Sequence, residues 1–351
     1  VGGKLKNICL LSPDSGSPRT AVALGLALKL EDAGLKVGFF QPVGTGAGDE
    51  EASLFKAVFK LGHPLETICP FRAGPSYLSA SASAGGARRH VLEAYAAVKQ
   101  DADVVIINSP PLPYVAASVG LETESLVSSL EALSVLVTRV TDDYKIDLVI
   151  YYDYHLRMRN IPVLGHIFND VSHPLLVKTE EVYRPVLAKA GCNLLGVIPA
   201  RTGITAPTAA EYYEALGGEL LAGQDNLGLA VEEVIVGAMT VESALRYLRR
   251  STHKAVITGG DRADLALAAL ATGASVLVLT GGLYPDPQVI ARAEERNIPV
   301  ILVGYDTYST LEKMNQVVHH MRPVDEQSLA GVRSDIENHC RWDDILSALR
   351  S

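Results

Sequence analysis

Cysteine is scarce in this sequence and never paired: Cys9, Cys69, Cys192 and Cys340 stand far apart, with no C-x-x-C spacing. That distribution argues against a disulfide framework or a zinc ribbon, and it reads as reduced, buried thiols with no structural metal. The nine histidines are scattered, and the adjacent His319 and His320 cannot face one ion from a helix. Basic runs are missing too. With a formal net charge of -9, the chain lacks the cationic face that a nucleic acid or an anionic membrane surface requires. No apolar run exceeds strand length and the amino terminus has no secretory pattern, so no membrane span and a cytoplasmic location are expected. Aromatic residues make up only 6%, which sets apart the dense segment Tyr151-Tyr152-Asp153-Tyr154-His155. Such a cluster suits a partner surface, or a helix over Asp147 to Arg157 that buries one tyrosine and exposes the others.

What the chain does have is length and apolar content. Its 351 residues, 48% hydrophobic and 20% charged, are enough for two cores. Short β-branched runs alternate with helical patterns: Asn7 to Leu11, Lys36 to Gln41, Asp103 to Asn108, Ser134 to Val140, Val163 to Phe168 and Leu194 to Ile198. Near-continuous apolar strands such as Val104-Val105-Ile106-Ile107 predict an α/β fold with a parallel sheet covered by helices on both faces. Ligands in such folds sit beyond the carboxyl ends of the strands. Those ends include Ser12, Gln41-Pro42-Val43, Asn108-Ser109, Asn169-Asp170 and Pro199.

The stretch Leu10-Leu11-Ser12-Pro13-Asp14-Ser15-Gly16-Ser17-Pro18-Arg19-Thr20 lies between the first strand and an apolar helix, the setting of a phosphate-binding loop. Its order of segments resembles dethiobiotin synthetase and, more closely, the dethiobiotin-synthetase-like domain of long phosphotransacetylases. The resemblance covers about the first 200 residues. It implies a nucleotide site made of Ser12, Asp14, Ser15, Gly16, Ser17, Arg19 and Thr20, with Asn169 at the place of a residue that reads the nucleobase. ATP or another nucleotide, with magnesium, is the cofactor it implies. Active members carry Gly-Lys-Thr in the loop, Lys-Pro-Val after the second strand and Glu-Gly after the third. Here the equivalents are Pro18-Arg19-Thr20, Gln41-Pro42-Val43 and Asn108-Ser109.

These departures have physical consequences. Proline at 18 removes a backbone donor from the anion nest, where a hydrogen bond to a charged group is worth about 1.5–3 kcal/mol. Arg19 is a planar fork rather than a compact charge. Gln41 and Asn108 remove a further cation and a carboxylate, and loss of one preorganised electrostatic group costs about 10²–10³ in rate. The residues also suit a phosphate-free helix start, with Ser17 as N-cap and Pro18 at the first helical position. Asn169 likewise suits a strand-end turn or cap with Asp170. The run Leu78 to Gly86 reads as a loop, either a lid or a plain connector.

After Pro199 the rhythm pauses over 200–207 and a smaller α/β unit follows, with strands near 231–237, 255–258, 275–279 and 300–303. Its landmarks are Val236-Gly237-Ala238-Met239-Thr240, Thr258-Gly259-Gly260-Asp261-Arg262-Ala263-Asp264 and Gly281-Gly282. They resemble the DRTGG domain that follows the dethiobiotin-synthetase-like domain in long phosphotransacetylases. The motif residues are Gly259, Gly260, Asp261, Arg262 and Asp264, with Asp261 expected to cap the next helix and Arg262 to form an ion pair or bind an anion. A helical tail with apolar stripes closes the sequence where the resembling enzymes continue into acetyltransferase.

The expected division is therefore 1–200, a degenerate P-loop-type domain; 201–324, a DRTGG-like domain; and 325–351, a helical tail. The expected function is a non-catalytic regulatory or binding module that senses a nucleotide or metabolite. The alternatives are an ATP-dependent ligase or phosphotransferase of the dethiobiotin synthetase type, and an accessory subunit of a separate phosphate acetyltransferase. The expected partners are a second copy of the chain and phosphate acetyltransferase or another enzyme of acetyl-phosphate metabolism.

Overall fold

The structure is a computed structural model that describes residues 5–14, 18–44, 50–74, 77–80, 84–200, 207–250, 253–315, 317 and 326–351. Two compact units result: Val1–Arg201 together with Met321–Ser351, and Thr202–His320. Among the described residues no helix is long and apolar enough to cross a membrane.

The strands in chain order are β1 (Asn7–Leu11), β2 (Val37–Phe40), β3 (Val43–Gly44), β4 (Phe71–Arg72), β5 (Val104–Asn108), β6 (Ala132–Thr138), β7 (Val163–Val171) and β8 (Leu194–Pro199) in the first unit. Six of them form one sheet in the order β2-β5-β1-β6-β7-β8, and every pairing in it is parallel. β1, β2 and β5 are buried along their whole length, as expected of strands that helices cover on both faces. β6 begins and ends earlier than its apolar run suggests, because Ala132 is already paired with Asn7. The segment expected as a loop at Leu78 to Gly86 is helical where it is described, within Tyr77–Ala80 and Ala84–Gln100. Alanine there outweighs the two glycines. Residues 81–83 lie outside the described residues, as do most of the 200–207 junction and His319-His320.

The first helix, α1 (Arg19–Asp32), is buried over most of its surface. One face packs on the sheet, and another meets the helix Glu326–His339, so the tail expected at 325–351 is part of the first unit rather than a separate piece. The approach is close at Gly25, where a Cβ would lie 2.6 Å from the Val332 carbonyl oxygen and 2.7 Å from Ile336 Cγ1. The chain then breaks its helix at Cys340 to form an antiparallel bridge with Gly196 on the edge strand β8. The Arg341 N–H donates to the Leu195 carbonyl at 2.8 Å. This covers a strand edge that would otherwise present unpaired backbone groups. The last helix, Trp342–Arg350, buries Ile345 and Leu349.

The second unit holds β9 (Glu219–Ala222), β10 (Glu233–Val236), β11 (Lys254–Gly259), β12 (Ala274–Thr280) and β13 (Val300–Leu302), in the order β10-β11-β12-β13-β9. β9 runs antiparallel to β13 and the other pairings are parallel. Successive residues of β11 feed opposite cores, as the two-residue period of a strand requires. Val256 packs with Leu248, Leu265 and Val289, whereas Ala255 and Ile257 pack with Tyr212, Leu216 and Met314. The helix Ala209–Leu216 begins with a reciprocal capping box between Thr208 and Glu211.

Candidate functional site

The carboxyl ends of β1, β2, β5 and β7 bring together those expected site residues of the first unit that the structure describes, and their polar groups are turned on one another. Ser12 is buried, and its hydroxyl donates to the Asp14 carbonyl at 2.6 Å. The Asp14 carboxylate is paired with Lys145 from the helix Asp143–Met158. Ser15, Gly16 and Ser17 lie outside the described residues. Pro18 occupies the position before α1, not its first turn, and Arg19 is the first helical residue. With ψ at 90° Pro18 stays outside the helical region, and its carbonyl accepts a 2.7 Å hydrogen bond from Asn169 Nδ2. The Asn169 amide is therefore a brace between the end of β7 and the loop, and it is buried in that role.

Arg19 points inward. Its Nη1 donates to Ser109 Oγ at 2.6 Å and to the Pro110 carbonyl at 3.0 Å, and the side chain is almost wholly buried. Burial draws the guanidinium below its ordinary range, against the opposing pull of Glu51 and weaker neighbours. The same burial pushes the neighbouring Cys9 thiol up to about 12, so Cys9 is an inert core residue.

Glu51, on α2 (Glu50–Val58), completes the arrangement. Its carboxylate accepts from the Thr20 hydroxyl through one oxygen and from Asn108 Nδ2 at 2.6 Å through the other. Thr20, Glu51 and Asn108 thus form one connected oxygen-rich group. Asn108 Oδ1 and Gln41 Oε1 are buried with no partner among the described residues. Hydroxyl, carboxylate and amide oxygens are the donors a hard divalent cation takes, so this corner fits magnesium. Beside it, Arg19 and Lys145 are committed to internal partners and Glu51 adds negative charge, which disfavours a polyphosphate at these residues. Glu51 escapes a reading of the sequence because nothing in its local pattern shows that it folds back onto Thr20.

In the second unit, Gly259 ends β11 and the Arg262 N–H closes a turn onto the Gly259 carbonyl at 3.0 Å. That turn delays the helix Ala263–Ala271 by one residue. Arg262 rather than Asp261 therefore stands before the helix, and no side chain caps it. Arg262 pairs with Asp264 at 3.1 Å and reaches the Met239 carbonyl at 3.3 Å. The Arg262 hydrogen bond holds the Asp264 carboxyl below its usual range. Gly260 has no room for a side chain, since a Cβ would lie 1.8 Å from the Leu283 carbonyl oxygen.

A family model described as AAA domain (AAA_26) matches residues 6–208, more than half of the chain. The chain belongs to that AAA domain family. In the second unit, residues 211–317 match the DRTGG domain. The phosphate acetyltransferase of Pseudomonas putida is 26% identical over 340 residues, covering 92% of this chain and 48% of its own length. That of Nitrosomonas europaea is 25% identical over 348 residues, covering 92% of this chain and 48% of its own. The chain spans about half the length of the curated relatives it matches. Among solved structures, the CBS and DRTGG domains of a Clostridium perfringens pyrophosphatase, complexed with the activator diadenosine tetraphosphate, match at a TM-score of 0.30 and 17% identity. That match covers 44% of this chain and 80% of the other.

Proposed function

We propose that this chain is a regulatory or binding module whose AAA domain keeps a P-loop-type scaffold without phosphoryl-transfer chemistry. The observation that carries this reading is Arg19, the residue in the place of the loop lysine. It is buried against Ser109 and Pro110 instead of facing the loop. Phosphoryl transfer depends on cations held at the transferring group, and here the nearest ones are paired within the protein. Magnesium, held by Thr20, Glu51 and Asn108, would supply positive charge beside the loop. The chain's own residues contribute no free cation to go with it among those described at the loop.

The test separates a structural Arg19 from a catalytic one. Purified protein is expected to show no magnesium-dependent ATP hydrolysis above background. Arg19→Ala is expected to lower unfolding free energy by about 1–3 kcal/mol, because it removes the buried hydrogen bonds to Ser109 and to the Pro110 carbonyl. Hydrolysis by the natural protein that Arg19→Ala abolishes would instead support an ATP-dependent ligase or phosphotransferase, with the Thr20 and Glu51 oxygens as its metal site.

The similarity to phosphate acetyltransferases over about nine-tenths of the chain supports a place in acetyl-phosphate metabolism. We propose as partners a second copy of the chain and a phosphate acetyltransferase. Co-purification with such an enzyme, or a change in its rate on addition of this protein, is the expected result.

A further inference from the structure

Away from the phosphate-loop corner, three side chains from separate elements of the first unit converge in its interior. Asp153 comes from the helix Asp143–Met158, His166 from β7, and Cys192 from the turn that leads into β8. They are buried, at 2%, 0% and 5% exposure, and one ligand atom from each lies within 4.8 Å of the others. We propose that Asp153, His166 and Cys192 form a binding site for a borderline-soft divalent transition metal, with zinc as the natural occupant.

The donor chemistry selects the class of ion. An imidazole nitrogen, a sulfur and a carboxylate oxygen are zinc ligands, whereas magnesium and calcium take shells made of oxygen. Charge selects it as well. A thiolate, a carboxylate and a neutral imidazole cancel the charge of a divalent ion, provided that Arg157, which is half exposed, gives up its pairing with Asp153.

Without metal, the three side chains are held through Asp153. His166 Nε2 lies 2.9 Å from Asp153 Oδ1, and Arg157 Nε lies 2.6 Å from Asp153 Oδ2. His166 Nδ1, fully buried, has no partner among the described residues. Cysteine ligates a metal as the thiolate, so metal entry must expel the Cys192 proton. The ion then replaces the Asp153–His166 hydrogen bond with two coordination bonds, the imidazole proton moving from Nε2 to the unpartnered Nδ1, and it takes the thiolate as a third ligand.

Arg157 marks the way in. Its side chain is about half exposed, at 47%, and it bridges Asp153 to the Gly191 carbonyl, which Nη2 meets at 2.7 Å. Its pairing with Asp153 must give way for the carboxylate to take a metal. Only the fold brings these residues together, which is why the sequence reading expected no metal.

Cobalt(II) titration of the full chain, freed of metal by a chelator, tests the site. One equivalent is expected to bind with a thiolate-to-cobalt charge-transfer band, and zinc is expected to bleach it. Zinc addition in weak buffer is expected to release about one proton per ion at neutral pH, as a protonated thiol requires. Cys192→Ser should remove the band, while Cys340→Ser should keep it. Should Cys192→Ser fail to fold, the natural protein decides alone. If it gives no band and retains no zinc on dialysis, the cluster is a metal-free ion-pair network and the proposal is overturned. A band that survives in folded Cys192→Ser overturns it equally.

Discussion

Gly260→Ala is expected to destroy the cooperative folding of the DRTGG domain. The new methyl would sit 1.8 Å from the carbonyl oxygen of Leu283 and 2.8 Å from its carbonyl carbon. Both are backbone atoms, so no side-chain rotation relieves the overlap. The opposing turn cannot retreat either. Gly281 and Gly282 have φ of +85° and +65°, and their N–H groups are tied to the Tyr305 and Val303 carbonyls at 2.8 and 2.9 Å. Relief requires separating the end of β11 from that turn, at a cost above about 4 kcal/mol, the range reserved for severe core and backbone disruption. A domain stable by about 5–15 kcal/mol has little left after such a loss. Gly273→Ala is the matched control. Its φ is +74° with nothing within 4 Å of the added methyl, so only local backbone strain is expected, of about 1–3 kcal/mol. Calorimetry of the full chain should show the second unit's transition lost in the first variant and lowered in the second. Equal effects would mean that the crowding at Gly260 is relieved at little cost.

Gly25→Leu is expected to unseat the carboxyl-terminal helices from α1. The side chain would enter the space held by the Val332 carbonyl and Ile336. Val332, Ile336, Ile345 and Leu349 are all buried, and each is worth about 1.5–3 kcal/mol when removed from water. Undocking would expose all four, together with the covered face of α1 and the Gly196 edge of β8. The loss approaches the whole stability of a domain. Ile336→Ala keeps the helix seated and should cost less, about 2–5 kcal/mol. Hydrogen exchange read residue by residue should show protection lost across 326–350 in Gly25→Leu but retained in Ile336→Ala. Retained protection in both would mean that the helices pack independently of Gly25.

The parallel sheet of the first unit could be read from the sequence because Ile8 to Leu11, Val104 to Ile107 and Leu194 to Ile198 are continuous apolar runs, and such runs specify burial on both faces. The direction of β9 could not. Glu219–Ala222 has no pattern that favours antiparallel pairing, which arises only through its partner Val300–Leu302. Chain order put Arg19 and Thr20 at the start of α1, Asn108 at the end of β5 and Asn169 near the end of β7. It could not give their orientation. Whether Arg19 faces a ligand or the core depends on Ser109, Pro110 and Glu51, which are distant in sequence. The helix starts show the same limit at short range: Pro18 and Arg262 each stand one position from where local preference alone would set the boundary.

The first unit's discontinuity sets the order in which the protein can mature on the ribosome. When residues up to Arg201 have emerged, the face of α1 around Gly25 and the outer edge of β8 still lack the segments that cover them. The whole of 202–320 must be synthesised before Val332 and Cys340 arrive. The DRTGG domain, continuous in sequence, can finish folding during that interval. Until then the apolar face of α1 in the AAA domain stays open.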